Sequence, residues 1–428
     1  MRDVHVSRRA VLAMAAMSFA NLNALSRAIA AQSAKNEWAR VRALIQSYVD
    51  QRKIAGAIVG VSYDGAPMDF LAAGSPALNS AAPVDENTIW RIYSMTKPVT
   101  GIAAMMLVED GLIELDQPVR EVIPEFAELK VAVRPDEGLE ARPARTVMTM
   151  RHLITHSGGF AYWTPLSKKD ALSEAYRARG ITPGNVGAGL HRPGYGPQVK
   201  DLAKMIEQLA GLPLAYDPGT AYRYSVGLDV MGAVIERVTG KGFDVFLQSR
   251  LFTPLEMSST AFRIAPKDVG RLSTNYQVTP GGLEPLDQPE TSAWLGPPNL
   301  LSGGGGLLST ARDYTRFGSM LLGEGELDGV RVMKSNTVRL ALSNLLPRGI
   351  TRDGGGSGAG GRIVLVGGTS PFAPPGSFGH GGAAGTNWWI EPARLGQVVF
   401  MTQHMPPNAY PIAEELQVAV NLDLGRRS

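Results

Sequence analysis

Predicted strands lie near both ends of this 428-residue chain, while helices dominate the stretch between them. Short apolar runs bounded by turn residues indicate strands at residues 57–63, 68–73, 378–380, 386–390 and 398–401. Asp64-Gly65, between the first two, is a strong hairpin signal. The most economical arrangement pairs the two terminal sets in one central antiparallel sheet, with the middle of the chain inserted as a helical lobe. It predicts an α/β fold of the α+β type, with a cleft between its two parts.

Helical stripes are predicted to flank the sheet and to fill the inserted segment. Apolar residues at helical spacing predict a first helix over residues 38–48 and a last one over 412–422. The predicted boundaries are residues 31–428 for a single domain, about 36–97 and 300–428 for an α/β lobe, and about 98–299 for an all-helical lobe.

Two stretches rich in glycine interrupt these patterns. Residues 181–198 also carry several prolines, which predicts a mobile loop or lid. Residues 354–361 are of low complexity, which predicts a flexible segment.

The N-terminus has the features of an export signal. Arg8 and Arg9 precede an apolar run over residues 10–20, and residues 28–30 offer small side chains for cleavage. The arginine pair resembles a twin-arginine signal. We therefore predict a signal peptide over residues 1–30 and a periplasmic or secreted mature protein. The apolar run is too short to span a bilayer and no other stretch is long enough, so no membrane span is expected after signal removal.

Cysteine content and charge exclude several classes of function. The chain has no cysteine, which excludes disulfides, zinc–thiolate sites and a cysteine nucleophile. The net charge of +3 at pH 7 matches that of residues 1–30, where four arginines oppose one aspartate. The remainder is near neutral and lacks the basic field that a nucleic-acid partner requires.

The pair Ser94 and Lys97 directly precedes a predicted buried helix over residues 102–108. Ser94 is expected at the helix start, where unpaired N–H groups and the positive dipole end favour a developing negative charge. Lys97 follows at i+3 on the same face. Burial disfavours an ammonium, and a neutral lysine beside a hydroxyl is a general base beside a nucleophile. Because Ser-x-x-Lys also occurs by chance, its meaning depends on partners elsewhere in the chain.

Two other chemistries find less support. No serine lies in a Gly-x-Ser-x-Gly sequence, so a nucleophile elbow of the Ser-His-Asp type is not indicated. His152 and His156 have the i, i+4 spacing of a zinc helix, but Leu153 stands where the catalytic Glu belongs, and no third ligand is evident. We predict structural roles for both histidines, and neither a metal nor a cofactor.

Three motifs, in order along the chain, carry a family resemblance. They are Ser94-x-x-Lys97, Tyr224-Ser225-Val226 and His380-Gly381-Gly382. Together they resemble the Ser-x-x-Lys, Tyr-x-Asn and Lys-Thr-Gly motifs of the serine β-lactamase and penicillin-recognising family. The phrases at residues 153–159, 218–220 and 305–311 are similar as well. The resemblance covers roughly residues 36–424 and implies the family's fold.

Two departures from the family pattern bear on the substrate. Val226 stands where class C β-lactamases have Asn, and His380-Gly381-Gly382 replaces Lys-Thr-Gly. The β-lactamase lysine helps to bind the antibiotic's carboxylate, whereas an ordinary imidazole, with a pKa of about 6.5, is mostly neutral at pH 7. Loss of a cation and an amide donor favours an uncharged ester over a β-lactam acid. The pattern most resembles the family VIII carboxylesterases.

The resemblance implies acyl transfer, with short- to medium-chain esters as small-molecule substrates. Ser94 is the implied nucleophile, and either Lys97 or Tyr224 is the implied base. The backbone N–H groups of Ser94 and Ala383 are the implied oxyanion hole. The candidate substrate-binding residues are Tyr162, Trp163, His380, Gly381 and Gly382, with Trp388 as a further candidate for an acyl pocket.

Other readings stay open at this point. Within the enzyme class they are a class C-like β-lactamase and a peptidase acting on D-amino-acid peptides. A reading of another class is a relative that binds peptidoglycan or β-lactams without turnover. The sequence does not determine an oligomeric state.

Overall fold

The computed structural model describes residues 37–164, 170–182, 198–298, 300–367 and 373–425. The predicted signal peptide lies outside these ranges, and so does most of the loop predicted at residues 181–198. Both stay predictions.

The strands in the described ranges are mostly short. They are β1 (Gly56–Ser62), β2 (Asp69–Gly74), β3 (Ile89–Arg91), β4 (Lys130–Ala132), β5 (Ala141–Pro143), β6 (Asn275–Thr279), β7 (Gly282–Asp287), β8 (Leu308–Thr310), β9 (Glu326–Leu327), β10 (Val330–Arg331), β11 (Gly356–Ser357), β12 (Arg362–Ile363), β13 (Phe378–Gly381), β14 (Asn387–Glu391), β15 (Gly396–Met401) and β16 (His404–Met405).

The α-helices lie mainly between the terminal strands. They are α1 (Ala39–Asp50), α2 (Thr96–Glu109), α3 (Met150–Ile154), α4 (Ala171–Ala178), α5 (Leu202–Ala210), α6 (Gly227–Thr239), α7 (Phe243–Leu247), α8 (Ala311–Leu322), α9 (Ser335–Ala341) and α10 (Ile412–Leu424). None of these helices combines the length and the apolar character that a bilayer crossing requires.

The main sheet joins the two ends of the chain, as predicted. Its seven strands run in the order β11-β12-β13-β14-β15-β1-β2, and each neighbouring pair is antiparallel. Val59 of β1 lies opposite Phe400 of β15 on one side and Leu71 of β2 on the other. Asp64 and Gly65 both have positive φ, 56° and 75°, which is the turn that their residue types favour. The predicted central antiparallel sheet with terminal helices is therefore confirmed.

Both faces of this sheet are covered. Val59 and Val61 of β1 belong to an apolar cluster with residues of α1 and α10, whereas Ile58 belongs to a larger cluster that includes α2 and α6. Successive side chains of a strand point to opposite faces. Because both faces are buried, β1 reads as a continuous apolar run in the sequence.

The inserted segment is mainly helical but not wholly so, which corrects the all-helical prediction. β4 pairs with β5, and β6 pairs with β7, within the range assigned to the helical lobe. The first of these hairpins spans residues 130–143. Strands of three residues are too short to show alternation, so the sequence pattern missed it. The lobe boundaries themselves stay a prediction.

Helix α2 is buried along almost its whole length, from Thr96 to Leu107. Residues 354–361, predicted to be flexible, pack against it instead. A Cβ on Gly101 would collide with the backbone of Ala359, and one on Gly360 would collide with the Lys97 carbonyl. The Ala359 N–H also donates to the Ala341 carbonyl at 2.8 Å. The small residues therefore allow a close backbone approach behind the helix, and the prediction of flexibility was wrong.

Candidate active site

Ser94 lies in a single 3₁₀ turn, Tyr93–Met95, that leads directly into α2. Tyr93 has a φ of 43°, a left-handed conformation that is rare for a bulky residue. Its surroundings hold it there. The Tyr93 hydroxyl accepts a hydrogen bond from Asn275 Nδ2 at 3.0 Å, and its ring packs edge-on against Trp294. This turn leaves Ser94 half-buried in the wall of a cavity.

Lys97 is fully buried one helical turn after Ser94. Its Nζ donates to the Gly304 carbonyl at 2.5 Å and to Ser94 Oγ at 3.2 Å. It also lies 4.5 Å from the ring centroid of Tyr224 and 5.4 Å from that of Tyr162. The amine is therefore fixed against the hydroxyl by one carbonyl and two aromatic faces.

Tyr224 reaches the same hydroxyl from a part of the chain 130 residues away, with its phenol 2.7 Å from Ser94 Oγ. Its ring lies between His156, at a centroid distance of 4.8 Å, and Tyr162, at 5.3 Å. The Ser225 N–H donates to His156 Nδ1 at 3.2 Å, which fixes the imidazole. Burial and the Lys97 charge hold the pKa of His156 well below its usual value, so it packs as a neutral ring.

The third motif forms the opposite wall of the cavity. The cavity has a volume of about 560 Å³ and is lined by Ser94, Tyr224, residues 380–383, 385–387 and 407–408, and residues 410–414. The Gly382 N–H closes a tight turn onto the Thr386 carbonyl at 2.7 Å. A Cβ on Gly382 would collide with Thr386 Oγ1 and with the Ile92 carbonyl, so the turn requires glycine there. No hydrogen bond to the Ala383 N–H occurs within the described ranges.

His380 lies at the end of β13 with a half-buried side chain. Its Nδ1 is 2.7 Å from the Gly381 carbonyl oxygen, and its ring centroid is 6.1 Å from that of Tyr224. Burial, with the charges of Arg352 and Lys97, holds the pKa of His380 well below its usual value. A neutral ring therefore occupies the position where the family's pattern has a lysine.

Asp229 is part of the site, and the sequence analysis missed it. This carboxylate is 3% exposed on α6, accepts from Ser302 Oγ at 2.5 Å and accepts from the Gly304 N–H at 3.0 Å. It thereby fixes Gly304, the residue whose carbonyl accepts the hydrogen bond from Lys97. Burial raises the pKa of Asp229, and the nearby Lys97 charge opposes that shift. A lone aspartate between Leu228 and Val230 in an apolar helix was the available signal, because a buried carboxylate requires partners.

The three aromatic residues predicted to line the substrate pocket lie in different surroundings in the structure. Tyr162 contacts the Tyr224 ring and lies near Lys97. Trp163 is 6% exposed and directs its indole N–H to Glu174 at 3.2 Å, away from the described cavity lining. Trp388 is fully buried in the core, where it packs edge-on against Tyr314. Trp388 therefore does not line the described cavity, because β14 directs it into the core against α8.

The two spaced histidines make local contacts. His152 Nδ1 accepts the Thr149 N–H at 3.1 Å in a helix cap, and burial lowers the pKa of His152 to about 4. His156 packs against Tyr224. Within the described ranges, no group of three or more His, Asp or Glu side chains is arranged to hold a metal ion.

The arrangement has the parts that acyl transfer needs. A hydroxyl at the wall of an open cavity lies within hydrogen-bond distance of a buried amine and a phenol. The N–H of Ala383, which lines the same cavity, has no hydrogen-bond acceptor among the described residues. A candidate nucleophile, two candidate bases and a candidate oxyanion donor are therefore close together.

Comparison with known proteins identifies the family of this chain. The β-lactamase family matches residues 41–422. The protein Rv1367c of Mycobacterium tuberculosis is 31% identical over 386 residues, which cover 85% of this chain and 90% of that protein. Esterase EstB of Burkholderia gladioli is 29% identical over 293 residues, which cover 65% of this chain and 68% of EstB.

A solved structure extends the likeness to the fold. That of EstCE1, described as a hydrolase with promiscuous acyltransferase activity, superposes with a TM-score of 0.73 at 23% identity. The match covers 89% of this chain and 97% of EstCE1. The chain belongs to the β-lactamase family, and its fold is that of the serine β-lactamases and penicillin-binding proteins.

Proposed function

We propose that this protein is a serine carboxylesterase that cleaves short- to medium-chain esters through an acyl-enzyme on Ser94. The observation that carries the proposal is the position of Ser94 Oγ, 3.2 Å from Lys97 Nζ and 2.7 Å from the Tyr224 hydroxyl. The named function of the relative EstB supports ester hydrolysis. The neutral His380 supports an ester rather than a β-lactam, because no cationic side chain stands at the third motif.

In the acylation step, Ser94 Oγ attacks the ester carbonyl and loses its proton to Tyr224, which enters the step as a phenolate beside the Lys97 ammonium. We assign the immediate base to Tyr224 for two reasons. Its oxygen is nearer to Ser94 Oγ, and the Lys97 amine already donates to the Gly304 carbonyl at 2.5 Å. The alternative, a neutral Lys97 as the base, predicts a different response to removal of the Asp229 charge.

The tetrahedral intermediate carries its negative oxygen between the N–H groups of Ser94 and Ala383. Each such donor contributes roughly 3–4 kcal/mol in the transition state. When the carbon–oxygen bond breaks, Tyr224 returns the proton to the leaving alkoxide, and the alcohol departs. A water molecule then repeats the sequence on the acyl-enzyme, so that the carboxylic acid leaves and the Ser94 hydroxyl is restored. An alcohol in place of water gives a new ester instead.

The test is a substrate panel with a matched pair of variants. We expect turnover of 4-nitrophenyl acetate and butyrate, a loss of at least about 10³-fold in Ser94→Ala, and no change in Ser343→Ala, which alters an exposed serine. Equal turnover in wild type and Ser94→Ala contradicts the proposal. Mass spectrometry after treatment with a covalent phosphonate identifies the modified oxygen.

The same panel separates the rival readings. Nitrocefin tests a β-lactamase and a D-Ala-D-Ala peptide tests a peptidase, and we expect weak or no turnover of both. Robust hydrolysis of nitrocefin or of the peptide would rank that activity above ester hydrolysis. Binding of peptidoglycan fragments without turnover of any ester identifies a non-catalytic relative.

We also propose that residues 1–30 direct export, on the strength of Arg8 and Arg9 before the apolar run. The full chain is expressed in a bacterial host, and the mature N-terminus is read by mass spectrometry. We expect it near Ala31, in the periplasm or medium, and retention of the uncleaved protein when Arg8 and Arg9 are both changed to Lys.

A further inference from the structure

The residue before Ser94 has an unfavourable backbone conformation. Tyr93, with a φ of 43°, lies in the left-handed region, where the Cβ of a bulky residue crowds its own backbone. Such a conformation persists only where the surroundings hold it. The peptide that joins Tyr93 to Ser94 carries the Ser94 N–H, which is one of the two proposed oxyanion donors. Any group that holds Tyr93 therefore also sets the direction of that N–H.

Asn275 of β6 contacts Tyr93 from 182 residues further along the chain. Its side chain is fully buried, and its Nδ2 donates to the Tyr93 hydroxyl at 3.0 Å and lies 3.4 Å from Met405 Sδ. Its Oδ1 is enclosed without a hydrogen-bond partner among the described residues. A buried carboxamide with an unpaired oxygen is costly. Stability alone therefore does not explain why an asparagine occupies this position.

A framework of buried contacts fixes the strand that carries Asn275. β6 pairs with β7, in which Asp287 lies opposite Asn275. Asp287 forms a buried ion pair with Arg91 of β3, and the Arg91 guanidinium donates to the Ser273 carbonyl at 2.6 Å. The hairpin of β6 and β7 therefore contacts the segment that leads to the nucleophile at two points, Arg91 and Tyr93.

The same region supports the second proposed oxyanion donor, the Ala383 N–H. β16 pairs with β6 in parallel, and the N–H of His404 on β16 donates to the Ala384 carbonyl at 3.0 Å. Ala384 and Tyr93 belong to one small apolar cluster, against which Ala383 packs. The two proposed donors are therefore supported by one packed region, and Asn275 is the polar link between this region and the Tyr93 hydroxyl.

We propose that Asn275 is a positioning residue for the oxyanion hole. It holds Tyr93 in the left-handed conformation and thereby directs the Ser94 N–H toward the carbonyl oxygen of the ester. Asn275 is not among the described residues that line the cavity, so it acts through Tyr93 and does not touch the substrate. This role rests on the proposed esterase function, because it assigns a task within that reaction.

The role predicts an effect on kcat rather than on KM. A hydrogen bond to the carbonyl oxygen strengthens as that oxygen becomes negative, so a displaced N–H weakens the binding of the transition state more than that of the ester. Loss of the contact between Asn275 and Tyr93 leaves the lining of the cavity in place. The ester should therefore still bind, and the acylation step should slow.

The test measures kcat and KM for 4-nitrophenyl butyrate in three variants. Asn275→Leu replaces the carboxamide with an apolar group of similar size, and Tyr93→Phe removes the hydroxyl that it contacts. We expect each to lower kcat by about tenfold, with KM within about twofold of wild type. Because both changes remove the same hydrogen bond, the double variant should show the loss of one single variant and not the product of the two.

Tyr63→Phe is the matched control for Tyr93→Phe. The Tyr63 hydroxyl also donates to a buried side chain, Glu391 Oε1, at 2.6 Å, but it belongs to the cluster on the sheet face that α1 and α10 cover. We expect this change to lower the Tm and to leave kcat unchanged. A fall in kcat as large as that of Tyr93→Phe would show that loss of any buried tyrosine hydroxyl has this effect, and would overturn the proposal.

Stability separates positioning from packing. Tyr93→Phe leaves the Asn275 amide without this acceptor, whereas the double variant removes both polar partners, so its Tm should exceed that of Tyr93→Phe. We expect kcat of the double variant to stay low. Recovery of kcat together with the Tm would identify a packing role and overturn the proposal. If Asn275→Leu does not fold, Tyr93→Phe still removes the same hydrogen bond.

A change of the substrate oxygen tests the oxyanion hole itself. In the thiono analogue of 4-nitrophenyl butyrate, sulfur replaces the carbonyl oxygen and accepts hydrogen bonds more weakly. We expect Asn275→Leu to lower the ratio of kcat/KM for ester over thionoester about fivefold, and Tyr63→Phe to leave it unchanged. An unchanged ratio in Asn275→Leu overturns the role in the oxyanion hole.

The wild-type protein separates the two proposals. No turnover that depends on Ser94 contradicts the esterase proposal, and the role of Asn275 fails with it. Turnover that depends on Ser94, with an unchanged kcat in both Asn275→Leu and Tyr93→Phe, overturns the positioning role alone.

Discussion

The two sides of Ser94 differ in how completely their polar groups are satisfied. Behind Lys97, the Asp229 carboxylate, the Ser302 hydroxyl and the Gly304 peptide form a closed hydrogen-bond network. At the third motif, His380 Nε2 is enclosed without a hydrogen-bond partner among the described residues. A closed network fixes the groups that it joins, whereas a buried polar atom without a partner leaves its desolvation cost without compensation. The comparison separates the satisfied groups behind Lys97 from an unsatisfied imidazole at the third motif.

Lys97→Met is expected to give the largest effect and tests the catalytic side. Loss of the amine removes the group that holds Ser94 and Tyr224 in their reactive states, so kcat should fall by about 10³-fold or more. The fold should survive, because an apolar side chain of similar length replaces a buried cation. Esterase kinetics and thermal unfolding check both points, with the exposed Lys241→Met as control. A Lys97→Met enzyme that retains a tenth of the wild-type kcat contradicts this role.

Gly382→Ala tests the proposed oxyanion turn. The new Cβ collides with the Ile92 carbonyl and Thr386 Oγ1, which shifts the Ala383 N–H, and kcat is expected to fall by about 10- to 100-fold. Gly381→Ala is the matched control, because its Cβ meets nothing nearer than 3.6 Å. If the two variants have the same kcat, the turn does not position the donor.

The Asp229→Asn variant tests the closed network behind Lys97. It removes the negative charge of the side chain and keeps an oxygen that can accept the Gly304 N–H. We expect about a tenfold loss of kcat, with an alkaline limb that moves to lower pH because Lys97 loses its anionic neighbour. A neutral Lys97 acting as the base would instead give activity that extends to lower pH on the acid limb. The pH–rate profile therefore decides which group is the base.

The Asp229→Asn variant, which is expected to lower kcat, is expected to raise the stability of the fold. Burial raises the pKa of Asp229 in the folded state, so protonation of this carboxyl favours folding, and its contribution is lost as the pH rises through the folded pKa. Asp229→Asn should therefore raise the Tm at pH 8 and have less effect at pH 4. A Tm loss at pH 8 larger than that at pH 4 contradicts the assignment.

The last expected effect concerns the buried imidazoles and is measured on stability rather than on activity. Burial lowers the pKa of His152 and of His404 to about 4 in the folded protein. Their stabilising contribution is complete above the unfolded pKa of about 6.5 and is lost as the pH falls through the folded pKa, at about 1.4 kcal/mol per pH unit for each group. Denaturant unfolding from pH 7 to pH 4 should show this loss. His404→Leu should flatten the dependence, and an unchanged slope excludes His404 as a contributor.

Much of the fold was readable from local patterns. The terminal strands, the Asp64-Gly65 turn and the last helix were visible because side-chain periodicity and turn chemistry are local properties. The two short hairpins of the inserted segment were missed because strands of three to six residues show little periodicity. Trp388 was misjudged because the sequence does not reveal which distant element packs against its face of β14.

The candidate site likewise has a part that could be predicted from the sequence and a part that could not. The proximity of Ser94 to Lys97 follows from the helix period alone, because residues three apart share a face. Asp229 was visible only as an isolated charge, and residues 354–361 only as a run of small residues. Their place behind Lys97 depends on contacts between distant parts of the chain.

The sequence by itself determined the nucleophile motif, the neutral third motif and the joining of the chain ends in one sheet. Only the tertiary structure decided that Tyr224 reaches Ser94 across 130 residues, and that the glycine run supports α2. The physical reason is the distance along the chain over which each interaction acts. Helix and turn geometry act over a few residues, whereas burial and electrostatic fields depend on which distant segments pack together.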